Sequence, residues 1–204
     1  MLIRSITLLF LLLFTYNSHA QRLKLAIGFG GSLGTSKLLK KQMLTGETSV
    51  GYELGLSESF AISFSAGLTK ISYDYSGASG DQIFNQRKFL NLGVEFIKYL
   101  RAPRPANSMF FGLGLIGDAC VVEKEEIRNA GNLEIKKYGF PGYHLGVSGF
   151  AGFQTELSNT STISFSLNAK IDLGTFYSND LREVKFLKSL IGITYALKLS
   201  NKKT

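Results

Sequence analysis

The chain has 204 residues, with 22 glycines, 3 prolines and 12 % aromatics but not one Trp. A single cysteine excludes an intramolecular disulfide, and that cysteine with the one histidine beyond residue 20 cannot assemble a typical zinc site. The formal charge of +8 is spread along the chain without a basic cluster interleaved with aromatics, so nucleic acid is not an expected partner.

Taken from the start, Arg4 supplies a positive n-region, Ile6 to Phe14 an apolar h-region, and Ser18-His19-Ala20 the small residues of a cleavage site. This pattern predicts a secretory signal peptide over 1–20 and a mature domain over 21–204. The apolar run is well short of the ~20 residues a spanning helix needs. Gln21 stands where a lipoprotein would carry Cys. No later segment resembles a transmembrane helix, so any spanning must be done by strands, and in lipid only a closed barrel satisfies their backbone.

Beyond residue 20, segments of period-two alternation recur at 22–34, 48–57, 60–74, 88–100, 108–122, 140–155, 161–175 and 184–199. Eight is an even number, as bacterial single-chain barrels have. Connections near 58–59, 101–107 and 156–160 are compact, whereas 35–47, 75–87, 123–139 and 176–183 are longer and polar. Short periplasmic turns alternating with longer extracellular loops are the asymmetry of an outer-membrane barrel. The densely charged stretch Glu123 to Lys137 reads as a solvated hairpin extending strands five and six, with a lipopolysaccharide-binding surface as the alternative.

The faces differ in size. Val50, Tyr52, Leu54 and Leu56 oppose Gly51, Glu53, Gly55 and Ser57; Phe60, Ile62, Phe64 and Leu68 oppose Ala61, Ser63, Ser65 and Gly67. Leu90, Leu92, Val94 and Phe96 oppose Asn91, Gly93 and Glu95, and Phe111, Leu113 and Leu115 oppose Gly112, Gly114 and Asp118. Segment seven is the clearest: Ile163, Phe165, Leu167, Ala169, Ile171 and Leu173 alternate with Ser164, Ser166, Asn168, Lys170, Asp172 and Gly174. Alternation alone fits a soluble barrel with its apolar face inward equally well. A water-facing surface would favour bulky Lys, Glu, Thr and Arg, however, whereas Gly, Ser, Ala and Asn suit the narrow lumen of eight strands.

The expected arrangement therefore puts Leu54, Phe64, Leu92, Leu113, Phe165, Leu167, Ile171 and Ile193 against lipid. Ile116 and Phe150 break the pattern on the inner face, and a phase slip near Thr69-Lys70 suggests a β-bulge. Phe and Tyr near strand ends (Tyr75, Phe89, Tyr99, Phe110, Tyr138, Phe140, Phe153, Phe176, Tyr177, Phe186) suit interfacial girdles.

The whole mature region resembles the broad outer-membrane β-barrel, porin-like family. The residues that carry the likeness are Gly28-Phe29-Gly30, Phe111-Gly112-Leu113-Gly114, Gly149-Phe150-Ala151-Gly152-Phe153 and the Gly51 to Leu56 phrase. In the last segment Gly192, Tyr195 and Leu197 resemble the C-terminal signal that barrel-assembly machinery reads in this family. The resemblance implies an outer-membrane location, contact with outer-membrane lipids and lipopolysaccharide, envelope or secretion partner proteins, and no cofactor.

Inward-facing ionisable residues are expected at Lys24, Glu53, Glu95, Asp118, His144, Lys170 and Asp172. Isolated charges in a narrow lumen are costly, so an interior polar network that plugs the barrel is favoured over a solute path. His144 invites a second reading, since some barrels of this family modify lipid A acyl chains with a histidine. Ser148 shares its face but lies ~13 Å along the strand, too far for a nucleophile and its base. Gly28 to Gly34 lacks the following helix and Lys-Ser/Thr ending of a phosphate loop. The expected function is a non-enzymatic structural, adhesive or secretion-accessory barrel, with a lipid A acyl-modifying enzyme or a soluble lipocalin-like barrel as alternatives.

Overall fold

A computed structural model describes residues 21–34, 42–76, 82–100, 107–129, 132–138, 142–178 and 186–200. The expected signal peptide lies outside these residues. Nine strands follow in order: β1 (Gln21–Gly34), β2 (Gln42–Gly55), β3 (Phe60–Ser76), β4 (Gln82–Tyr99), β5 (Asn107–Asn129), β6 (Asn132–Tyr138), β7 (Gly142–Ser158), β8 (Ser161–Ser178) and β9 (Phe186–Ser200).

Each neighbouring pair is antiparallel, β1 pairs with β9, and β4 pairs with β5, so the sheet closes on itself. The closed ring has eight strands, because β6 and β7 lie along the same edge of β5: β6 on Glu123–Asn129 and β7 on Asn107–Ala119. Closure leaves the eight-stranded ring without a free edge, and among the described residues β6 is paired on one side only.

The apolar faces look outward. Leu92, Leu113, Phe165, Leu167, Ile171 and Ile193 all stand exposed on the outer surface, with Leu167 at 67 %. Phe64 is on the same side and half-buried. A soluble barrel would have hidden Phe165, Leu167 and Ile171, so that alternative is overturned. Leu54 has the outward parity of β2 but is only 3 % exposed, correcting its expected lipid contact. It sits at the strand's end, flanked by its cross-strand partners Gln21 and Ile62.

Several strands are longer than the alternation suggested. β2 begins at Gln42 and β4 at Gln82, and 123–129 pairs with 132–138, as expected of a hairpin extending strand five. The expected bulge near Thr69 is absent: β3 runs in unbroken register with β4 from Phe60 to Ser76. Thr69 and Ile71 both point inward, so the slip in the pattern is a change of residue type inside the barrel. The register does shift opposite Lys88 and Phe89, which pair with Val122 and Cys120 and leave Val121 unpaired. This bulge changes the inward parity of β5 from Asp118 and Cys120 to Glu123 and Glu125.

Three aromatics expected in girdles, Phe89, Tyr99 and Phe110, instead face inward. Phe89 and Tyr99 are buried, and Phe110 packs with Phe150 on a cluster of Ala61, Ile97 and Tyr99. Phe153 is on the outer surface. The side chains of Tyr75, Tyr138, Phe140, Phe176, Tyr177 and Phe186 lie outside the described residues.

Candidate functional site in the barrel lumen

Closing eight strands leaves room for side chains but not for an open bore, and the lumen is filled in layers. At the end carrying the short turns, Glu53 of β2 is the focus. Tyr99 Oη donates to both carboxylate oxygens at 3.0 and 3.1 Å, and Lys24 Nζ and Arg22 Nη1 stand 3.5 and 3.9 Å away. Arg22 also donates to Gln154 at 3.2 Å, and Lys24 to Ser63 at 3.2 Å.

Beside this layer sits the aromatic plug. The Tyr99 and Phe110 rings are 6.0 Å apart, those of Phe110 and Phe150 6.2 Å. Glycine makes the space: a Cβ on Gly112 would lie 2.3 Å from Phe150, and one on Gly152 would lie 2.6 Å from Phe110.

A cavity of about 100 Å³ follows, lined by Ser49, Ser63, Ser65, Asn168 and Thr194, with Glu95 and Lys24 among its walls. It is bounded by Phe110 and Phe150 on one side and by Ile116 and Leu190 on the other. A polar chamber of this size has room for several ordered waters.

The next layer is a connected ion-pair chain. Lys170 Nζ donates to both oxygens of Glu47 at 2.5 and 2.6 Å, and Thr69 donates to Glu47 at 3.2 Å. Asn91 Nδ2 bridges Thr69 and Asp118 at 2.8 and 3.0 Å. Lys188 Nζ meets Asp118 at 2.5 Å and Asp172 at 3.8 Å, and lies 5.4 Å from the Phe89 ring. His144 packs edge-on against Phe89 at 5.9 Å. Beyond them Arg87 and Asn85 donate to Glu123 at 2.8 to 3.0 Å.

All seven residues expected inside have inward parity: Lys24, Glu95 and Lys170 line the cavity, Lys24 also standing beside Glu53, while Asp118, His144 and Asp172 gather around Lys188. His144 is buried among these groups and not on an accessible rim. Among the described residues no cluster of His, Cys, Asp and Glu is suited to a metal ion.

Sequence reasoning missed Arg22, Glu47, Arg87, Glu123 and Lys188, which pair with the expected residues or with each other. Lys188 shares the inward parity of Leu190 and Gly192, so extending the alternation beyond the apolar part of β9 would have found it. Gly192 is itself inward, where a Cβ would meet Ser166 and Asn168 at 2.8 Å, while Tyr195 and Leu197 are on the outer surface.

Outside the ring, Lys124 Nζ donates to Glu126 at 2.5 Å on the β5–β6 hairpin. That hydrogen bond holds the Glu126 carboxyl below the ordinary carboxylate range. The contact is thus present above that range and is lost as pH falls through the lowered pKa.

A closed eight-stranded antiparallel barrel with an apolar exterior and a packed polar lumen is the architecture of a small transmembrane β-barrel. No family model matches the chain, and no curated protein matches it. Among solved structures it is similar to Neisserial surface protein A, at 9 % identity and a TM-score of 0.54 over 88 % of this chain and 97 % of that one. It is also similar to the outer membrane protein OprG from Pseudomonas aeruginosa, at 10 % identity and a TM-score of 0.53 over 90 % and 98 %. A third is a major outer membrane protein from Thermus thermophilus, at 11 % identity and a TM-score of 0.51 over 87 % and 100 %. At such identities the likeness is one of fold.

Proposed function

We propose that this protein is a non-enzymatic outer-membrane barrel, a rigid scaffold that holds its outer-end segments at the cell surface for a structural, adhesive or secretion-accessory role. The observation that carries the reading is the pairing of an exposed apolar belt with a lumen closed by ion pairs and aromatic rings. A lumen so filled suits anchoring better than transport. The fold of the solved barrels supports the membrane setting, and the long β5–β6 hairpin is the surface best placed to meet envelope or secretion partners. Gly192, Tyr195 and Leu197 serve recognition by barrel-assembly machinery, and the interior network stabilises the ring. His144 packs in that network and takes no part in catalysis.

The test is membrane fractionation followed by electrophoresis with and without boiling. The expected result is recovery in the outer-membrane fraction with a mobility shift on boiling. Recovery in the aqueous fraction without detergent would overturn the reading.

A further inference from the structure

The outer face of β3 and β4 carries an arrangement that a barrel gains nothing from on its own. Lys70 and Lys88 are directly opposed cross-strand partners, both exposed and both outward. Like charges so placed repel at about 5 Å between Cα atoms. Among the described residues neither ammonium has an ion-pair partner, and the neighbouring cation Lys124 is taken by Glu126.

Their height is set by the ladder below them. The rungs Ile62–Phe96, Phe64–Val94, Ala66–Leu92 and Leu68–Leu90 are apolar, and beneath them Phe60 pairs with Lys98, whose Nζ lies 3.8 Å over the Phe60 ring. From Phe60 to Lys70 is ten residues, which at ~3.4 Å per residue and a tilt of ~40° climb about 26 Å. That equals the ~25 Å apolar band of such barrels. Lys98 thus marks one headgroup level, by the short turns, and the Lys70–Lys88 pair marks the other, on the outer side. The next rung outward is Ser72–Gln86. Gly46, the partner of Lys70 on β2, has open space where a side chain would project.

We propose that Lys70 and Lys88 form a two-ammonium site for a phosphate group of an outer-leaflet lipid, the phosphorylated sugar headgroup of lipopolysaccharide. The rungs match such a lipid in order: apolar Leu68 and Leu90 for an acyl chain, two cations for the phosphate, Ser72 and Gln86 for sugar hydroxyls. The shelf at Gly46 admits the headgroup. The other outward charges at this end of β3, β4 and β5 are Asp74, farther out on β3, and Lys124, Glu126 and Arg128 on the adjoining β5, so no carboxylate stands on the lysines' own rung of β3 and β4 or on the next one.

The inference rests on the transmembrane reading. Its test is native mass spectrometry of the full-length barrel in detergent micelles holding equal amounts of diphosphorylated and enzymatically dephosphorylated lipid A. The wild type should retain the phosphorylated form preferentially, by roughly thirtyfold for two ammoniums near an anionic headgroup. Lys70→Gln with Lys88→Gln should abolish the preference, and Lys70→Arg with Lys88→Arg should keep it. Equal retention of both lipids by the wild type, or an undiminished preference in the glutamine variant, overturns the proposal. The boiling shift is recorded on each sample. Its absence from the wild type would sink the transmembrane reading and the site with it, whereas a shift without lipid preference sinks the site alone.

Discussion

Lys188 is 1 % exposed and holds two carboxylates, Asp118 and Asp172, that no water reaches freely. Removing the cation strands both negative charges in a low-dielectric lumen, and breaking a buried pair in this way costs about 3–5 kcal/mol. Lys188→Met should therefore lower the unfolding free energy of the reconstituted barrel in urea by that amount. Lys188→Met with Asp118→Asn and Asp172→Asn should recover much of it, because no isolated charge then remains. Equal losses in the single and triple variants would show that packing, not charge, matters there. The same scale governs Gly112, whose missing side chain is the seat of the Phe150 ring. Gly112→Ala overpacks the plug and should destabilise by about 1–3 kcal/mol in the same unfolding assay. Phe150→Leu in that background should restore part of the loss, and a neutral Gly112→Ala would mean the ring is not confined.

At the scale of elements, the alternating apolar stripes revealed all eight strands of the ring and the inner parts of their pairings, because lipid and lumen are such different surroundings. The outer ends were not legible for a physical reason. Gln82 to Lys88 and Glu123 to Asn129 rise above the apolar band, where both faces of a strand meet polar surroundings and the size contrast fades. Hydrogen bonding to neighbours, which leaves no mark in hydropathy, carries the strands onward. The charged partners Arg87 and Glu123 lie on those extensions, and Glu47 on the outer end of β2, so the polar network looked sparser in the sequence than it is. The bulge at Val121 was hidden likewise, since it falls where the stripe has ended. Beyond it Glu123 meets Arg87, 2.9 Å away. Deleting Val121 removes only the extra residue, so Val122 and Glu123 still oppose Lys88 and Arg87 and the unfolding midpoint should change little, whereas inserting one residue between Val122 and Glu123 should turn Glu123 and Glu125 to the outer face, break that pair and lower the midpoint. An unaltered midpoint in the insertion would show that the outer extension is uncoupled from the ring.

For the whole molecule, two boundaries define the state: an apolar outside that requires lipid and an inside that requires its most buried charges to be matched, Glu95 facing the polar chamber. Leu167, exposed on the central part of β8, tests the first. Leu167→Arg should cost ~2–4 kcal/mol in a bilayer if it lies at the midplane, and a neutral outcome in lipid vesicles would place this face away from hydrocarbon. The second boundary bears on conduction. The aromatic plug and the Lys170–Glu47 and Lys188–Asp118 pairs lie in series along one lumen, with the polar chamber between them, so neither alone decides whether ions cross. The wild type should give no sustained conductance steps in a planar lipid bilayer. Phe110→Ala with Phe150→Ala leaves the ion-pair layers closed and should remain silent, while adding Lys170→Ala, Glu47→Ala, Lys188→Ala and Asp118→Ala opens those layers too and should produce steps. Removing the two ion pairs without touching the plug should again be silent. Steady conductance by the wild type would refute a sealed lumen, and steps in either half-opened variant would show that the seals do not act in series.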